Sequence, residues 1–152
     1  MSGATPLRWP GEQILIRQRL SGTPEAASCA RRVVRNVDWP NIDTVTLLAS
    51  ELVTNAVRYS RSRWLDLAVA TTPDGILHLQ VIDEGRGGTT PHLRLVENDG
   101  VTGRGLHLVK HFSVRWGFIM DTVGVTVWCD VADAPPSELI PTPPAVCPEE
   151  GR

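Results

Sequence analysis

The residues most able to do chemistry in this chain are concentrated in three short motifs. The first places a carboxylate and a carboxamide four positions apart, the second joins an acid to two glycines, and the third contains a glycine pair. In chain order the motifs are Glu51-Leu-Val-Thr-Asn55, Asp83-Glu-Gly85-Arg-Gly87 and Gly103-Arg-Gly105-Leu106. Each pattern is short enough to recur by chance, but the ordered set predicts one site for ATP.

The first motif falls in a segment whose apolar spacing predicts a helix. At about 100° per residue, Glu51, Asn55 and Arg58 share one polar stripe of that helix. The amide oxygen of Asn55 suits Mg²⁺, which retains waters and takes its other ligands from substrate phosphates. Glu51, one turn earlier, could polarise the hydroxyl or water that attacks a γ-phosphate. A simply solvated helix face is the alternative explanation of the stripe.

The second motif suits the base of a nucleotide. Asp83 ends a predicted strand, where its carboxylate could accept a hydrogen bond from the exocyclic amine of adenine. Gly85 and Gly87 would let the backbone approach the flat base and adopt positive φ. The alternative is an ordinary glycine-rich turn after a strand.

The third motif suits phosphate. Gly103 and Gly105 open a predicted helix, whose first N–H groups and positive dipole end favour an anion. Arg104 between them could add a positive charge. The alternative is an ordinary glycine-broken helix entry. The chain has no Walker-type Gly-Lys-Ser/Thr sequence and no Rossmann pattern, so any bound phosphate needs another scaffold.

The segments that must position the motifs alternate between strand-like and helical patterns. Pro73-Asp74-Gly75 predicts a tight turn between strands at 63–72 and 76–82, and hence an antiparallel hairpin that ends beside Asp83. The other predicted elements are a strand at 12–20, a helix capped by Thr23 and running to Val37, a helix from a capping Asp43 to Tyr59, a helix at 103–112, and strands at 114–120 and 124–131. This order predicts an α+β fold, a two-layer sandwich of about five mainly antiparallel strands with three helices on one face.

The chain divides into three parts by composition. Residues 1–10 are expected to be a flexible N-terminus, and residues 11–131 to form a single ATP-binding domain. Residues 132–152 are rich in proline, which cannot donate ladder hydrogen bonds, so a disordered tail is expected there. Within the domain, residues 88–102 show no helical or strand period and predict a mobile loop.

Composition excludes several classes of function. The 17 acidic and 15 basic residues give a net charge of −2, which argues against a direct nucleic-acid partner. No apolar stretch reaches the roughly 18 residues of a spanning helix, and the N-terminus lacks a secretory signal, so a cytoplasmic protein without a membrane segment is expected. The three cysteines predict no disulfide framework, and Cys129 is expected to be a small buried hydrophobe.

The motifs and their neighbours resemble the GHKL ATPase superfamily, whose members include gyrase, histidine kinases and bacterial anti-sigma serine kinases. The strings that carry the resemblance are Glu51-Leu-Val-Thr-Asn-Ala-Val-Arg-Tyr59, Gly103-Arg-Gly-Leu-His-Leu-Val109, Arg115-Trp-Gly117 and Thr126-Val-Trp128. They look most like the stand-alone ATP-binding regulators of actinobacteria in the anti-sigma kinase branch. The resemblance covers about residues 12–131. It departs from the family pattern at Tyr59, where many relatives carry His, and in the lid at 88–102.

The resemblance implies a role for each matched residue. Glu51 would be the base-like residue, Asn55 a Mg²⁺ ligand and Asp83 the reader of adenine. Gly85 and Gly87 would line the nucleotide pocket. The hinge and phosphate end of an ATP lid would be formed by Gly103, Gly105 and Leu106, and Thr126 would support the network on the adenine side.

The function implied by the resemblance is that of an anti-sigma factor serine/threonine protein kinase using ATP and Mg²⁺. Such a protein binds a sigma factor in one state and phosphorylates an anti-anti-sigma partner of the STAS type in another, and a homodimer is compatible with it. Two alternatives stay open. A non-catalytic ATP-binding partner-switch module would have the same pocket, and the catalytic domain of a histidine kinase would be expected to follow a dimerisation helix with a phospho-accepting His.

Overall fold

The computed structural model describes residues 11–85, 104–120 and 124–133, and of residues 104–107 the backbone alone. Five strands and three helices occur in these ranges. In chain order they are β1 (Gln13–Ser21), α1 (Glu25–Val34), α2 (Ile42–Ser60), β2 (Trp64–Thr71), β3 (Ile76–Asp83), α3 (Arg104–Phe112), β4 (Arg115–Met120) and β5 (Val125–Ala132). The expected loop at 88–102, the N-terminal residues 1–10 and nearly all of the tail lie outside the described residues.

The strands form one sheet in the order β1-β2-β3-β5-β4, and every neighbouring pair is antiparallel. The predicted hairpin is confirmed as β2 and β3, with Gly75 at a φ of +81° in the turn and its N–H donating to the carbonyl of Thr72. The α+β class, with three helices on a five-stranded antiparallel sheet, is therefore as predicted.

Helix α1 begins differently from the prediction. Thr23 does not cap it; the residue before the helix is Pro24, whose φ of −56° is already helical and which makes no side-chain capping bond. The hydroxyl of Thr23 instead lies 2.9 Å from that of Ser21 at the end of β1. Because proline fixes φ near the helical value and has no N–H to satisfy, it can start the helix without a cap.

Helix α2 begins at Ile42, one position before the predicted cap, Asp43. Asp43 makes no capping bond and accepts a 2.8 Å hydrogen bond from Nη1 of Arg35, just beyond the end of α1. The helix ends at Ser60 because Arg61 adopts a left-handed conformation with a φ of +54°. The exposed ion pair between Arg35 and Asp43 joins the end of α1 to the first turn of α2.

The core lies between the helices and one face of the sheet. This helix face is aliphatic, and its buried residues from β2, β3 and β5 are Leu65, Leu67, Val69, Leu77, Leu79, Val81, Val125, Val127, Cys129 and Val131. Helices α1, α2 and α3 contribute buried residues such as Ala30, Leu52 and Val109 to the same cluster. Burial, aided by the charge of Asp130, raises the pKa of the Cys129 thiol, so this cysteine is an inert core residue as expected.

The opposite face of the sheet is also largely buried, but it is polar. We call it the polar face, and it includes Asp66, Ala68, Ala70, His78, Gln80, Ile82, Thr126, Trp128 and Asp130. Strand register places Ala70, His78 and Asp130 in one row across the sheet and Ala68, Gln80 and Trp128 in the next. No helix within the described ranges has the length and apolar character needed to cross a lipid bilayer.

Candidate functional site

The polar stripe of α2 lies at the edge of the core. Glu51 and Asn55 are half-buried, and Arg58 is exposed. Leu52 and Ala56, which follow Glu51 and Asn55 directly, are buried and anchor the helix against the sheet. Since residues four apart lie one above the other on a helix, the carboxylate and the amide share one partly sheltered surface. Their polar groups are therefore positioned, yet still within reach of a ligand.

Arg58 lies on the side of the stripe that faces α1. It lines a small cavity of about 270 Å³ between the two helices, together with Pro24, Ala27, Thr54 and Val57. Arg58 therefore lies beside residues at the start of α1, Pro24 and Ala27, as well as on the helix that carries Glu51 and Asn55.

Asp83 is the last residue of β3 and is almost fully buried. Its Oδ1 accepts a 2.6 Å hydrogen bond from the N–H of Gly85, which closes a tight turn directly after the strand. Gly85 has a φ of +68°, a conformation that L side chains rarely adopt. The second motif therefore fixes the orientation of a buried carboxylate, with the glycine supplying the backbone geometry.

Gly124 is a site residue that the sequence analysis missed. It precedes β5, which pairs with β3, and a Cβ at this position would lie 1.7 Å from the carbonyl oxygen of Asp83. A Cβ on Gly85 would in turn lie 3.2 Å from the Cα of Gly124. Only glycine lets the entry to β5 pass so close to the exit of β3. A glycine at the first position of the strand predicted at 124–131 was the one sequence signal for this contact.

Glu84 is a second residue that the sequence analysis missed. Its Oε2 accepts hydrogen bonds from the backbone N–H groups of Arg63 (2.6 Å) and Trp64 (3.3 Å), and its Oε1 accepts one from Nη2 of Arg63 at 3.1 Å. Its own N–H donates to Oγ of Ser62 at 2.8 Å, and that hydroxyl lies 2.7 Å from Oγ of Ser60 at the end of α2. The chain leaving β3 is thus tied to the end of the helix that carries the first motif.

The environment of Glu84 keeps this carboxylate ionised. Burial alone would raise its pKa, but the hydrogen bonds from the side chain and backbone of Arg63 and from the backbone of Trp64 outweigh burial and lower the pKa. The charge of Glu84 is therefore part of what holds the end of β3 in place.

Thr126 lies on the other face of the sheet from Asp83. The register pairs Thr126 with Ile82, whereas Asp83 pairs with Val125. Because successive side chains of a strand point to opposite faces, Val125 shares the helix face with Asp83 and Thr126 shares the polar face with Ile82. The structure therefore does not bring Thr126 together with the carboxylate of Asp83.

The third motif is described only in part. Gly87 and Gly103 lie outside the described residues, as do the side chains of Arg104 and Leu106. The helix predicted for this motif is confirmed as α3, and Gly105 lies in its first turn. Val109, further along α3, is fully buried in the core.

The three motifs lie on elements that pack against one another. Helix α2, with Glu51 and Asn55, contacts both β3, which ends at Asp83, and α3, which begins at the third motif. The described part of the site thus combines a buried, oriented carboxylate with a half-buried acid and amide. A buried acceptor suits the amine of a purine, and an amide with an acid suits Mg²⁺ and its phosphates.

A comparison with known protein families agrees with this geometry. Residues 17–129 match the model of the histidine kinase-like ATPase domain, which is more than half of the 152-residue chain. The chain therefore belongs to the histidine kinase-like ATPase domain family, and membership implies ATP binding. The matched range contains all three motifs, Gly124, the whole of β2, β3 and β4, and the greater part of β1 and β5. No curated protein sequence matches the chain.

Proposed function

We propose that this protein is an ATP-dependent serine/threonine protein kinase of the anti-sigma factor type, which phosphorylates an anti-anti-sigma partner of the STAS type. The observation that carries the proposal is the packing of α2, with Glu51 and Asn55, against the strand that ends at the buried Asp83. The histidine kinase-like ATPase family supports the nucleotide part of the proposal. The sequence strings described above support the protein-kinase part.

In this proposal the described residues divide the work on ATP. The N–H of Gly85 orients the carboxylate of Asp83 by donating to its Oδ1. In this orientation Oδ2 would accept a hydrogen bond from the exocyclic amine of adenine. Asn55 would hold Mg²⁺ through its neutral amide oxygen, and the ion would supply positive charge for the phosphates. The backbone N–H groups at the start of α3 would face the phosphates. Thr126 has no direct role, since it lies on the polar face.

Glu51 acts on the phosphate acceptor. The hydroxyl oxygen of a partner serine forms a bond to the γ-phosphorus while the bond between that phosphorus and the β,γ-bridging oxygen breaks. ADP leaves with the electron pair, and Glu51 orients the hydroxyl and receives its proton. A half-buried carboxylate one turn before Asn55 is suited to this role, because the metal-bound phosphate and the acceptor must meet within a few ångströms.

The remaining parts of the proposal concern the setting of the protein. We infer a cytoplasmic protein that exchanges between a sigma factor and an anti-anti-sigma protein, without a direct nucleic-acid or membrane partner, and that can form a homodimer. A module that binds ATP without transferring phosphate would use the same residues, apart from Glu51. The two functions are therefore separated by experiment at Glu51.

ATP binding is tested by thermal unfolding with and without Mg²⁺-ATP. Nucleotide in ~100-fold excess over its Kd should stabilise the protein by about 2.7 kcal/mol. Asp83→Asn should lose most of this stabilisation, while Asp38→Asn, on the exposed loop after α1, should keep it. Stabilisation of Asp83→Asn equal to that of the wild type would remove Asp83 from the site.

Phosphoryl transfer is tested with γ-labelled ATP and purified STAS-type domains. The wild type should label a serine of the partner, and Glu51→Gln should keep ATP-dependent stabilisation while losing about 10²- to 10⁴-fold in transfer rate. Glu25→Gln, exposed at the start of α1, is the matched control. No label with intact ATP binding would instead establish the non-catalytic module, and label on a histidine would establish a histidine kinase.

A further inference from the structure

Strand β1 lies at one edge of the sheet. It comes first in the strand order β1-β2-β3-β5-β4, and among the described residues it pairs on one side alone, with β2. A strand at the edge of a sheet directs a row of N–H and C=O groups away from its neighbour. β1 therefore offers backbone donors and acceptors to another extended chain.

An open groove of about 860 Å³ lies against this edge. Residues 15–18 of β1 line it in an unbroken run. Because successive side chains of a strand point to opposite faces, such a run indicates a groove along the edge of the strand rather than over one face. The end of α1 and the loop after it contribute Val33, Val37 and Trp39, which are apolar, and the acidic Asp38. The volume is in the range of ligand-binding clefts.

The indole of Trp39 brings a hydrogen-bond donor to this groove. The ring is half-buried and packs against the core, and its Nε1 is shielded from solvent, yet no described residue accepts a hydrogen bond from it. A buried donor without an acceptor is costly. A backbone carbonyl of a chain lying in the groove would supply the acceptor.

Leu15 gives the groove an apolar contact. The register of β1 on β2 shifts between Ile14 and Ile16, which leaves Leu15 as the extra residue of a β-bulge. Bulges are common at sheet edges, where they change the direction of a side chain. Leu15 is 40% exposed, so an apolar side chain of a bound chain can cover it.

We propose that β1 binds an extended peptide segment of another protein, which adds a strand at this edge and places an apolar side chain in the groove. In this mode main-chain hydrogen bonds give affinity, and pockets for alternate side chains give specificity. The groove lies at the end of the sheet that carries the β2–β3 turn, because Pro73 and Gly75 line it. Asp83 lies at the other end of β3, about 24 Å from Ile76 at roughly 3.4 Å per residue. The peptide site is therefore separate from the candidate nucleotide site.

Charge argues against a second copy of this chain as the added strand. β1 contains Arg17 and Arg19, both exposed, and no acid. Antiparallel pairing of two β1 strands would bring the arginines of both copies together, and like charges opposite each other on paired strands are destabilising. A segment of different sequence avoids this repulsion.

The test first selects a peptide and then determines how it binds. A phage library of random octapeptides is selected on the complete chain, and an enriched peptide is synthesised and titrated by fluorescence anisotropy. Strand addition uses the N–H groups of every second peptide residue. N-methylation of one alternate set of these groups should therefore weaken binding by roughly tenfold or more. N-methylation of the other set should leave it unchanged.

Variants of the chain locate the site. Leu15→Ser should weaken peptide binding by about tenfold or more, because apolar contact is lost. Ile119→Ser, at 41% exposure on the opposite edge strand β4, is the matched control and should not weaken it. Trp39→Phe keeps an aromatic ring but removes the donor, and it should weaken binding by about three- to tenfold. Trp128→Phe, on the polar face, should have no effect.

Several outcomes would overturn the proposal. They are the absence of an enriched peptide, insensitivity to both N-methylated sets, equal losses for Leu15→Ser and Ile119→Ser, and unchanged binding by Trp39→Phe. Self-association in sedimentation that Leu15→Ser abolishes would assign the edge to a second copy and overturn it as well. Tighter peptide binding after deletion of residues 2–10 or 134–152 would assign the groove to the chain's own ends, with the same consequence. All measurements are made without nucleotide, so their outcome is independent of the proposed function.

Discussion

Strand β3 presents aliphatic side chains to one face of the sheet and polar side chains to the other, and both sets are buried. Leu77, Leu79 and Val81 belong to the helix face. His78 and Gln80 alternate with them on the polar face and are equally inaccessible. Along such a strand, exposed and buried positions do not alternate. Instead, buried apolar side chains on one face alternate with buried polar side chains on the other.

The two faces are stabilised by different physical interactions. The helix face gains from apolar surface removed from water, which is non-directional and tolerates small shifts in packing. The polar face gains only if each buried group finds a hydrogen-bond partner, since an unsatisfied one is costly. Asp130 shows the requirement, because its two oxygens engage His78 at 2.7 Å and Arg115 at 2.8 Å. The helix face should therefore respond to lost volume and the polar face to lost charge.

The largest effect is expected on the helix face. Leu79→Ala removes a fully buried side chain at the centre of the core and should lower the free energy of unfolding by about 2–5 kcal/mol. Leu79→Met conserves volume and should cost less than about 1.5 kcal/mol. Chemical denaturation of both variants measures the difference. Equal losses would mean that the helix face is not limited by packing volume.

A smaller effect, of electrostatic origin, is expected on the polar face. Asp130→Asn keeps the size of the side chain but removes the charge between His78 and Arg115, and it should cost about 1.5–3 kcal/mol. Asp133→Asn, exposed just after β5, should change stability by less than about 0.5 kcal/mol. The same denaturation measurement applies. A neutral result for Asp130→Asn would show that shape, not charge, governs the polar face.

Glu84, at the end of β3, links charge to pH. Because folding lowers the pKa of Glu84, this residue contributes fully to the free energy of unfolding above pH 4.5, the ordinary pKa of a glutamate. The contribution is lost as the pH falls through the pKa of Glu84 in the folded protein. Glu84→Gln should therefore be less stable than the wild type by about 1 kcal/mol at pH 7. The difference in the free energy of unfolding between the two proteins should become smaller below pH 4.5. Unfolding curves from pH 7 to pH 3 would check this, and a gap that stayed constant would contradict it.

The smallest effect is expected at the exposed rim of the polar face. Arg19 bonds Asp66 at 3.0 and 3.1 Å and lies 4.0 Å from the ring centre of Trp64, but its side chain is half exposed. Solvent and salt screen such a pair. Arg19→Met should therefore reduce the melting temperature only slightly at low salt and less at high salt. A large loss that persists at high salt would place Arg19 within the buried network instead.

Local patterns predicted most of the fold. The Pro73-Asp74-Gly75 turn and the helical spacing around Leu52 act within a few residues, so the hairpin and α2 were predicted nearly to their ends. The cap at Thr23 was predicted wrongly, because Pro24 starts the helix unaided. The first two motifs fell on the expected helix and strand end. The contacts of Glu84 and Gly124 were not predicted, since their partners lie 20 or more residues away.

By itself, the sequence determined the order of the elements, the family to which the chain belongs and the residue types available to hold a nucleotide, because periodicity, turn chemistry and motif spacing are local properties. Only the tertiary structure decided which of these residues meet. Strand register placed Val125 rather than Thr126 beside Asp83, and the absence of a side chain at Gly124 allowed two distant segments to touch. Register and close approach depend on strands far apart in the chain, so no short stretch of sequence specifies them.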